Sequence, residues 1–89
     1  LLKKDYTPAY DSFQRALRLN PDQPEIHNNI GLVQMERGEI DAAIGSYRQA
    51  IALRPEYGRA HYNLGIALQK KGLKREAEQE FSLARQPGR

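Results

Sequence analysis

A 34-residue period constrains this chain more than any other feature of its sequence. Three pairs of proline or glycine residues are separated by that step: Pro21 and Pro55, Gly31 and Gly65, and Gly38 and Gly72. Three sets of apolar residues follow the same step: Ala9, Ala43 and Ala77; Phe13, Tyr47 and Phe81; and Ala16, Ala50 and Ala84. A fixed period in this range indicates stacked copies of one supersecondary unit.

The segment 24–57 contains one complete unit. Apolar and small residues recur at helical spacing in residues 24–37 and again in residues 40–53. Gly38 lies between the two segments and can adopt the left-handed conformation that closes a helix. Pro55 disfavours helical geometry at Arg54 and so ends the second segment. The unit is therefore a helix, a tight turn and a second, antiparallel helix.

Extending this pattern predicts five helices and no strand, over residues 5–19, 24–37, 40–53, 58–71 and 74–85. Asp5 is the expected N-cap of the first helix and places Pro8 in its first turn. Leu73 is a poor capping residue for the last helix. Gly31 and Gly65 lie inside helices, where glycine is unfavourable, and we expect them to allow close approach to the small residues Ala43 and Ala77.

The spaced residues resemble the tetratricopeptide repeat (TPR) family. The resemblance rests on two sets of matches: His27, Ile30, Gly31, Ala43, Tyr47, Ala50 and Pro55, then His61, Leu64, Gly65, Ala77, Phe81 and Ala84. The departures are histidine at the family's large aromatic position, and Gln34 and Leu68 at its tyrosine position. The family implies an all-α, right-handed α-α superhelix, a TPR solenoid of about two and a half helix-turn-helix repeats. The expected units are 1–23, half of a truncated repeat; 24–57, a complete repeat; and 58–89, a last repeat with a polar capping helix.

The resemblance also implies a function. First helices of TPR units line a concave groove that holds extended peptides, which predicts a non-catalytic protein–protein interaction module. The candidate groove residues are Asn28, Asn29, Leu32, Glu36, Arg59, Tyr62, Asn63, Ile66 and Lys70. Asn29 and Asn63 either form an asparagine ladder that holds peptide backbone or are solvated residues of a frequent family motif. The family's clamp for a C-terminal carboxylate is unsupported, because Asn63 stands where that clamp has arginine.

No set of residues predicts catalysis, a metal site or a cofactor. His27 and His61 lie one repeat apart, about 10 Å, which is too far for a shared metal ion, and we interpret both as packing residues. Ser46 and Ser82 have no histidine within helical reach, and the glutamates of 74–85 alternate around their helix. The glycine-containing turns do not form a phosphate loop. The sequence therefore predicts a protein that is not an enzyme.

Composition narrows the partners further. The chain has 89 residues, a net charge of +3 and no cysteine, and no apolar run is long enough to span a membrane. Residues 1–53 hold six Lys and Arg against seven Asp and Glu, whereas residues 54–89 hold eight against four. The basic excess indicates a solvated surface or an acidic partner. No nucleic-acid motif is present. The compartment stays open, with a soluble cytoplasmic protein favoured.

The two ends of the predicted stack differ. Apolar positions that we expect to face a neighbouring helix in the first two second helices become Glu78, Arg85 and Pro87 in the last one, replacing the pairs Tyr10 and Ile44, Leu17 and Ile51, and Leu19 and Leu53. A polar outer face is typical of a terminal repeat, so the alternative function is a structural cap with little binding activity. At the other end we expect weak self-association through an uncovered apolar helix face, formed by Tyr6, Tyr10, Phe13 and Leu17.

Overall fold

A computed structural model describes residues 7–85, which form five α-helices and no strand. The helices are α1 (Thr7–Leu19), α2 (Pro24–Glu36), α3 (Ile40–Leu53), α4 (Gly58–Lys70) and α5 (Lys74–Ala84). The predicted bounds of α2 to α5 are confirmed to within one residue. The predicted start of α1 and its N-cap Asp5 lie outside the described residues.

The turns inside the two units follow the glycine argument. Gly38 and Gly72 have φ angles of 80° and 89°, in the left-handed region. In the first turn, the amide of Gly38 donates to Met35 O at 3.0 Å and that of Glu39 donates to Gln34 O at 2.8 Å. This pair of bonds defines a Schellman motif, which satisfies the last carbonyl groups of α2. The second turn repeats it at the end of α4, so each unit reverses direction within a few residues.

Helix order in space follows helix order in the chain. The most extensive contacts join α2 to α3 and α4 to α5, then α3 to α4, while α1 contacts α2. The buried core lies between α3, α4 and α5 and consists of Ala43, Tyr47, Leu64, Ala67, Leu68 and Ala77. Five of these six residues are alanine or leucine. The three alanines lie one on each of the three helices and let the helix axes approach closely.

The glycines inside the helices make room for aromatic rings, which corrects our expectation of a crossing between Gly and Ala. A Cβ atom at Gly31 would lie 2.6 Å from Cδ1 of Tyr47, and one at Gly65 would lie 2.6 Å from Cε1 of Phe81. Both distances are far below ordinary contact between carbon atoms. The sequence showed the pairing in its 34-residue step, because Tyr47 and Phe81 recur together with the two glycines.

The histidines that depart from the family pattern hold the loops between units. The Nε2 atom of His27 lies 3.1 Å from Pro21 O, and the Nε2 atom of His61 lies 2.7 Å from Pro55 O. His61 is buried, at 6% exposure, and its Nδ1 atom lies 2.7 Å from Glu80 Oε1. Both histidines are therefore structural residues that join a first helix to the loop before it, in agreement with the packing interpretation.

Gln34, the other departure, is buried at a position where the family has tyrosine. Its Oε1 atom accepts a hydrogen bond of 2.6 Å from the hydroxyl of Ser46 on α3. A buried amide needs such a partner to offset its desolvation. Ser46 thus has a structural role between α2 and α3.

The N-terminal helix is less enclosed than the others. None of the described residues of α1 is buried, although Tyr10, Phe13 and Leu17 are partly covered. The Arg37 guanidinium lies 5.6 Å from the centre of the Tyr10 ring and helps to hold α1 against α2. Leu19 is 86% exposed, which corrects the expectation that it faces a neighbouring helix. The helical phase explains this, because Leu19 ends α1 and points away from α2.

Candidate functional site

The candidate site is a cleft of about 580 Å³ between α2 and α4, the first helices of the two units. We call it the α2–α4 cleft. Its lining residues are Leu32, Met35, Glu36, Tyr47, Asn63, Ile66 and Lys70. Five of them belong to the groove predicted from the sequence. Leu32 and Ile66, and likewise Glu36 and Lys70, are one repeat apart, so the regular step of the stack brings them together.

Apolar and polar side chains divide the α2–α4 cleft into a centre and a rim. Leu32, Met35 and Ile66 supply an apolar centre, and Leu32 remains exposed although it is a large hydrophobic residue. Glu36 lies on the α2 side of the rim and Lys70 on the α4 side, so the rim carries one charge of each sign. An apolar centre with a few polar groups around it is the usual chemistry of a binding cleft.

Asn63 connects the two first helices through a side-chain hydrogen bond. Its Nδ2 atom donates to Asn28 Oδ1 at 2.9 Å. Asn28 is only 1% exposed, so it serves the packing between α2 and α4 and offers no surface to a ligand. This corrects its assignment to the groove surface. The reason is that α4 covers a side chain at this position of α2. The 34-residue step repeats this arrangement in every unit that is followed by another unit.

Three other predicted groove residues lie outside the α2–α4 cleft. Asn29 is partly exposed on α2. Arg59 and Tyr62 lie nearer the start of α4 and line a second cleft of about 620 Å³, together with Gly58, Phe81, Ala84 and Arg85. Tyr62 and Phe81 form a tilted aromatic pair with ring centres 5.5 Å apart. The predicted groove is thus divided between two surfaces, one between units and one at the end of the stack.

Met35 and Tyr47 line the α2–α4 cleft but were absent from the sequence-based prediction. Met35 lies on α2, and Tyr47 lies on α3, where it belongs to the aromatic set Phe13, Tyr47 and Phe81 of the 34-residue step. Tyr47 belongs both to the buried core and to the cleft lining, since it is 1% exposed and still lines the cleft. A signal for this role is present in the sequence: the equivalent positions hold Phe13 and Phe81, and only Tyr47 carries a hydroxyl group.

Two titratable groups among residues 7–85 have clearly shifted pKa values, Tyr47 in the cleft lining and Glu25 in the first turn of α2. Burial raises the pKa of the Tyr47 hydroxyl to about 12, because the low-dielectric surroundings disfavour the phenolate. The pKa of Glu25 is lowered, first by a hydrogen bond from the backbone and then by the guanidinium of Arg54 at 2.6 Å. Tyr47 is therefore a neutral hydrogen-bond donor over the whole physiological range, and Glu25 is an ionised carboxylate engaged with Arg54.

Sequence comparison places this chain in a family. The model of the family described as TPR repeat matches residues 2–36 and 33–72. The chain therefore belongs to the TPR repeat family, as its period and its helix-turn-helix units indicate. A comparison with curated proteins gave no match.

Several solved structures have the same architecture, and three of them are compared with this chain by TM-score, identity and coverage. A crystal structure of MamA has a TM-score of 0.81 and 38% identity, over 85% of this chain and 44% of that one. The Yersinia enterocolitica type III secretion translocator chaperone SycD has a TM-score of 0.84 and 26% identity, over 89% and 60%. The second TPR of Spaghetti (RPAP3), bound to an HSP90 peptide, has a TM-score of 0.84 and 23% identity, over 89% and 73%, and bears on the fold alone. This chain thus spans less than half the length of that MamA chain.

Within residues 7–85, no helix has both the length and the apolar character needed to cross a bilayer.

Proposed function

We propose that this protein is a non-catalytic protein–protein interaction module that binds an extended peptide segment along the α2–α4 cleft. The observation that carries the proposal is the cleft itself, with its apolar centre and charged rim on two adjacent first helices. Membership of a family of repeat scaffolds supports it, as does the structural similarity to a translocator chaperone. Both supports also favour a binding role over an enzymatic one.

The chemistry of the α2–α4 cleft suits an extended chain with an apolar side chain between two polar or charged ones. In an extended segment, alternate side chains point the same way and are about 6.6 Å apart. One apolar side chain can enter between Leu32 and Ile66, while the side chains two residues before and after it meet the rim. Glu36 then favours a basic neighbour on the α2 side, and Lys70 favours an acidic one on the α4 side.

A second candidate function is a structural end segment of a longer repeat array. Glu78 on α5 and Arg85 directly after it are exposed, at positions where α3 carries Ile44 and Ile51. A charged outer face at this position favours a terminal unit that stops further stacking. In that case the α2–α4 cleft would bind peptides weakly or not at all, so binding to the cleft separates the two functions.

A display library of extended nonapeptides with a central leucine provides the test. Selected peptides should bind with a dissociation constant near the micromolar level, about −8 kcal/mol. Amide chemical shifts should change along α2 and α4. Leu32→Ala and Lys70→Glu should weaken binding, because they alter the centre and the rim of the cleft.

Arg48→Ala is the matched control, since Arg48 is exposed on α3 outside the cleft lining. A selected peptide whose shift changes map to α3 and α5, and whose affinity ignores the Leu32 and Lys70 variants, would contradict the proposal. Asn63→Ala is a less informative variant for this test. It also leaves the buried Asn28 oxygen without its partner and therefore costs stability.

A further inference from the structure

The packing of the fold does not require the hydroxyl group of Tyr47. Tyr47 packs against Gly31 in the same way as Phe81 packs against Gly65, with the ring atoms in equivalent positions. The third equivalent position, in α1, holds Phe13. Phenylalanine therefore fills this position in two of three repeats, and the packing between ring and glycine does not depend on a hydroxyl.

The Tyr47 hydroxyl opens into the α2–α4 cleft. Among residues 7–85 it makes no hydrogen bond, and no side-chain oxygen or nitrogen in this part of the chain is both fully buried and unpaired. The small exposed area of Tyr47 must therefore include its oxygen. The surface that this side chain reaches is the lining of the cleft. A nearly buried, unpartnered donor thus faces the space between α2 and α4.

Asn63 supplies the complementary group in the same cleft. Its amide nitrogen donates to Asn28, which fixes the orientation of the side chain. Its Oδ1 atom makes no hydrogen bond within the described part of the chain and remains an acceptor. The cleft therefore presents one hydroxyl donor and one amide acceptor beside its apolar centre. A peptide unit offers the opposite pair, a carbonyl acceptor and an N–H donor.

We propose that Tyr47 adds a donor to the backbone contact that the family resemblance implies for Asn63: the two form a recognition pair for one peptide unit, in which the Tyr47 hydroxyl donates to the peptide carbonyl while Asn63 Oδ1 accepts from a peptide N–H. The inference rests on the proposed function and specifies what the cleft binds: main chain next to an apolar side chain. Burial keeps the hydroxyl protonated, with a pKa of about 12, so the donor persists throughout the physiological range.

An uncharged probe tests this pair directly. Acetyl-Ala-Ala-Leu-Ala-Ala-amide carries one large apolar side chain and backbone units on both sides, and its binding to the chain is measured by NMR titration. Tyr47→Phe should weaken binding about three- to tenfold, the usual effect of one net hydrogen bond. With a 13C-labelled leucine carbonyl, the wild type should move the carbonyl resonance downfield on binding, and Tyr47→Phe should abolish that shift.

Phe81→Tyr is the matched control, because it adds a hydroxyl at the equivalent position outside the α2–α4 cleft and should leave probe binding unchanged. The thermal midpoint of Tyr47→Phe should stay close to that of the wild type, because phenylalanine is native to this position in the other repeats. Probe binding that needs Leu32 but is equal in the Tyr47→Phe variant, with the same carbonyl shift, would overturn the recognition pair and leave the proposed function intact. No binding of the probe to the cleft would overturn the recognition pair, whereas the proposed function is decided by the peptide library.

Discussion

Replacing Gly31 by alanine adds a single methyl group at the most crowded position of the first unit. The new Cβ atom would lie 2.6 Å from Cδ1 of Tyr47 and 2.9 Å from Cζ. Carbon atoms in good contact are about 3.5–4.0 Å apart, so the ring has to move by about 1 Å. Tyr47 is 1% exposed and belongs to the core cluster. The movement must therefore displace core residues and cannot be absorbed by solvent.

The expected magnitude combines two opposing contributions. Forcing an additional methyl group into a packed core costs about 1–3 kcal/mol, and a ring held on all sides places Gly31→Ala near the upper end. Alanine is better than glycine inside a helix by about 1 kcal/mol, which offsets part of the loss. We expect a net loss of about 2 kcal/mol. Gly65→Ala should lose less, because Phe81 is only partly buried and can move.

Gly45→Ala is a matched control within the same chain. Gly45 also lies inside a helix, α3, but a Cβ atom there meets nothing within 4 Å. The helix-propensity gain should therefore appear alone and raise stability by up to about 1 kcal/mol. The free energies of unfolding of Gly31→Ala and Gly45→Ala should thus lie on opposite sides of the wild-type value and differ by about 3 kcal/mol. For a domain of this size that corresponds to a difference in thermal midpoint on the order of 10 °C or more.

Urea denaturation followed by far-ultraviolet circular dichroism measures all three variants. A second pair, Gly31→Ala with and without Tyr47→Leu, tests the cause, because removing the ring should remove most of the additional cost of the methyl group. If Gly31→Ala proves as stable as Gly45→Ala, or if its cost is unchanged without the ring, the contact between glycine and ring is not what selects glycine at this position.

Three further predictions use other features of the chain. Between pH 10 and 12 the phenol of Tyr47 ionises only in the unfolded state, since its pKa in the folded state is about 12. The contribution of this group to the free energy of unfolding is therefore complete below pH 10, and the wild type should lose about 2–3 kcal/mol across this range. Tyr47→Phe should lack that decrease in urea titrations at pH 9 and 11.5. His61→Ala should cost about 1–3 kcal/mol because it removes a buried side chain with two hydrogen-bond partners, Glu80 and the Pro55 carbonyl, and the thermal midpoint should fall less for His27→Ala. Sedimentation should show weak self-association that Phe13→Glu removes, whereas a strict monomer at high concentration would exclude that contact.

The helices and turns could be predicted from the sequence because local rules decide them. The left-handed conformations at Gly38 and Gly72 follow from glycine's freedom at positive φ. The stop before Pro55 follows from the restriction that proline places on Arg54. Periodicity then repeats each local decision one unit later. Agreement between local signals and the repeat is why the bounds of α2 to α5 could be placed to within a residue.

The candidate site was harder to predict because exposure depends on which helix comes next. Asn28 and Tyr62 are equivalent positions of successive units, yet Asn28 is buried and Tyr62 is 53% exposed. The sequence treats them alike, since each lies at the same place in a first helix. Tyr47 shows the opposite error, since its aromatic character indicated core and gave no weight to its hydroxyl. Distinguishing these cases requires the contacts between units.

The same comparison explains the uneven chemistry of the last unit. One repeat earlier, α4 covers the ring of Tyr47 and the side chain of Asn28. The described part of the chain has no helix in the corresponding place on α5, so Phe81 and Tyr62 line an open cleft. Of the residues predicted to change at this end, Glu78 is exposed on α5, whereas Arg85 follows α5 and lines the open cleft. Pro87 lies outside the described residues.

The last described unit therefore differs from the preceding one in its charges but not in its aromatic position. Phe81 stands where the preceding unit has Tyr47, whereas Glu78 and Arg85 replace Ile44 and Ile51. Glu78 is exposed on α5, and a charge at this position disfavours further stacking of second helices. Arg85 follows α5 and lines the open cleft together with Phe81. Exposure at each position of a repeat thus depends on which helix would cover it.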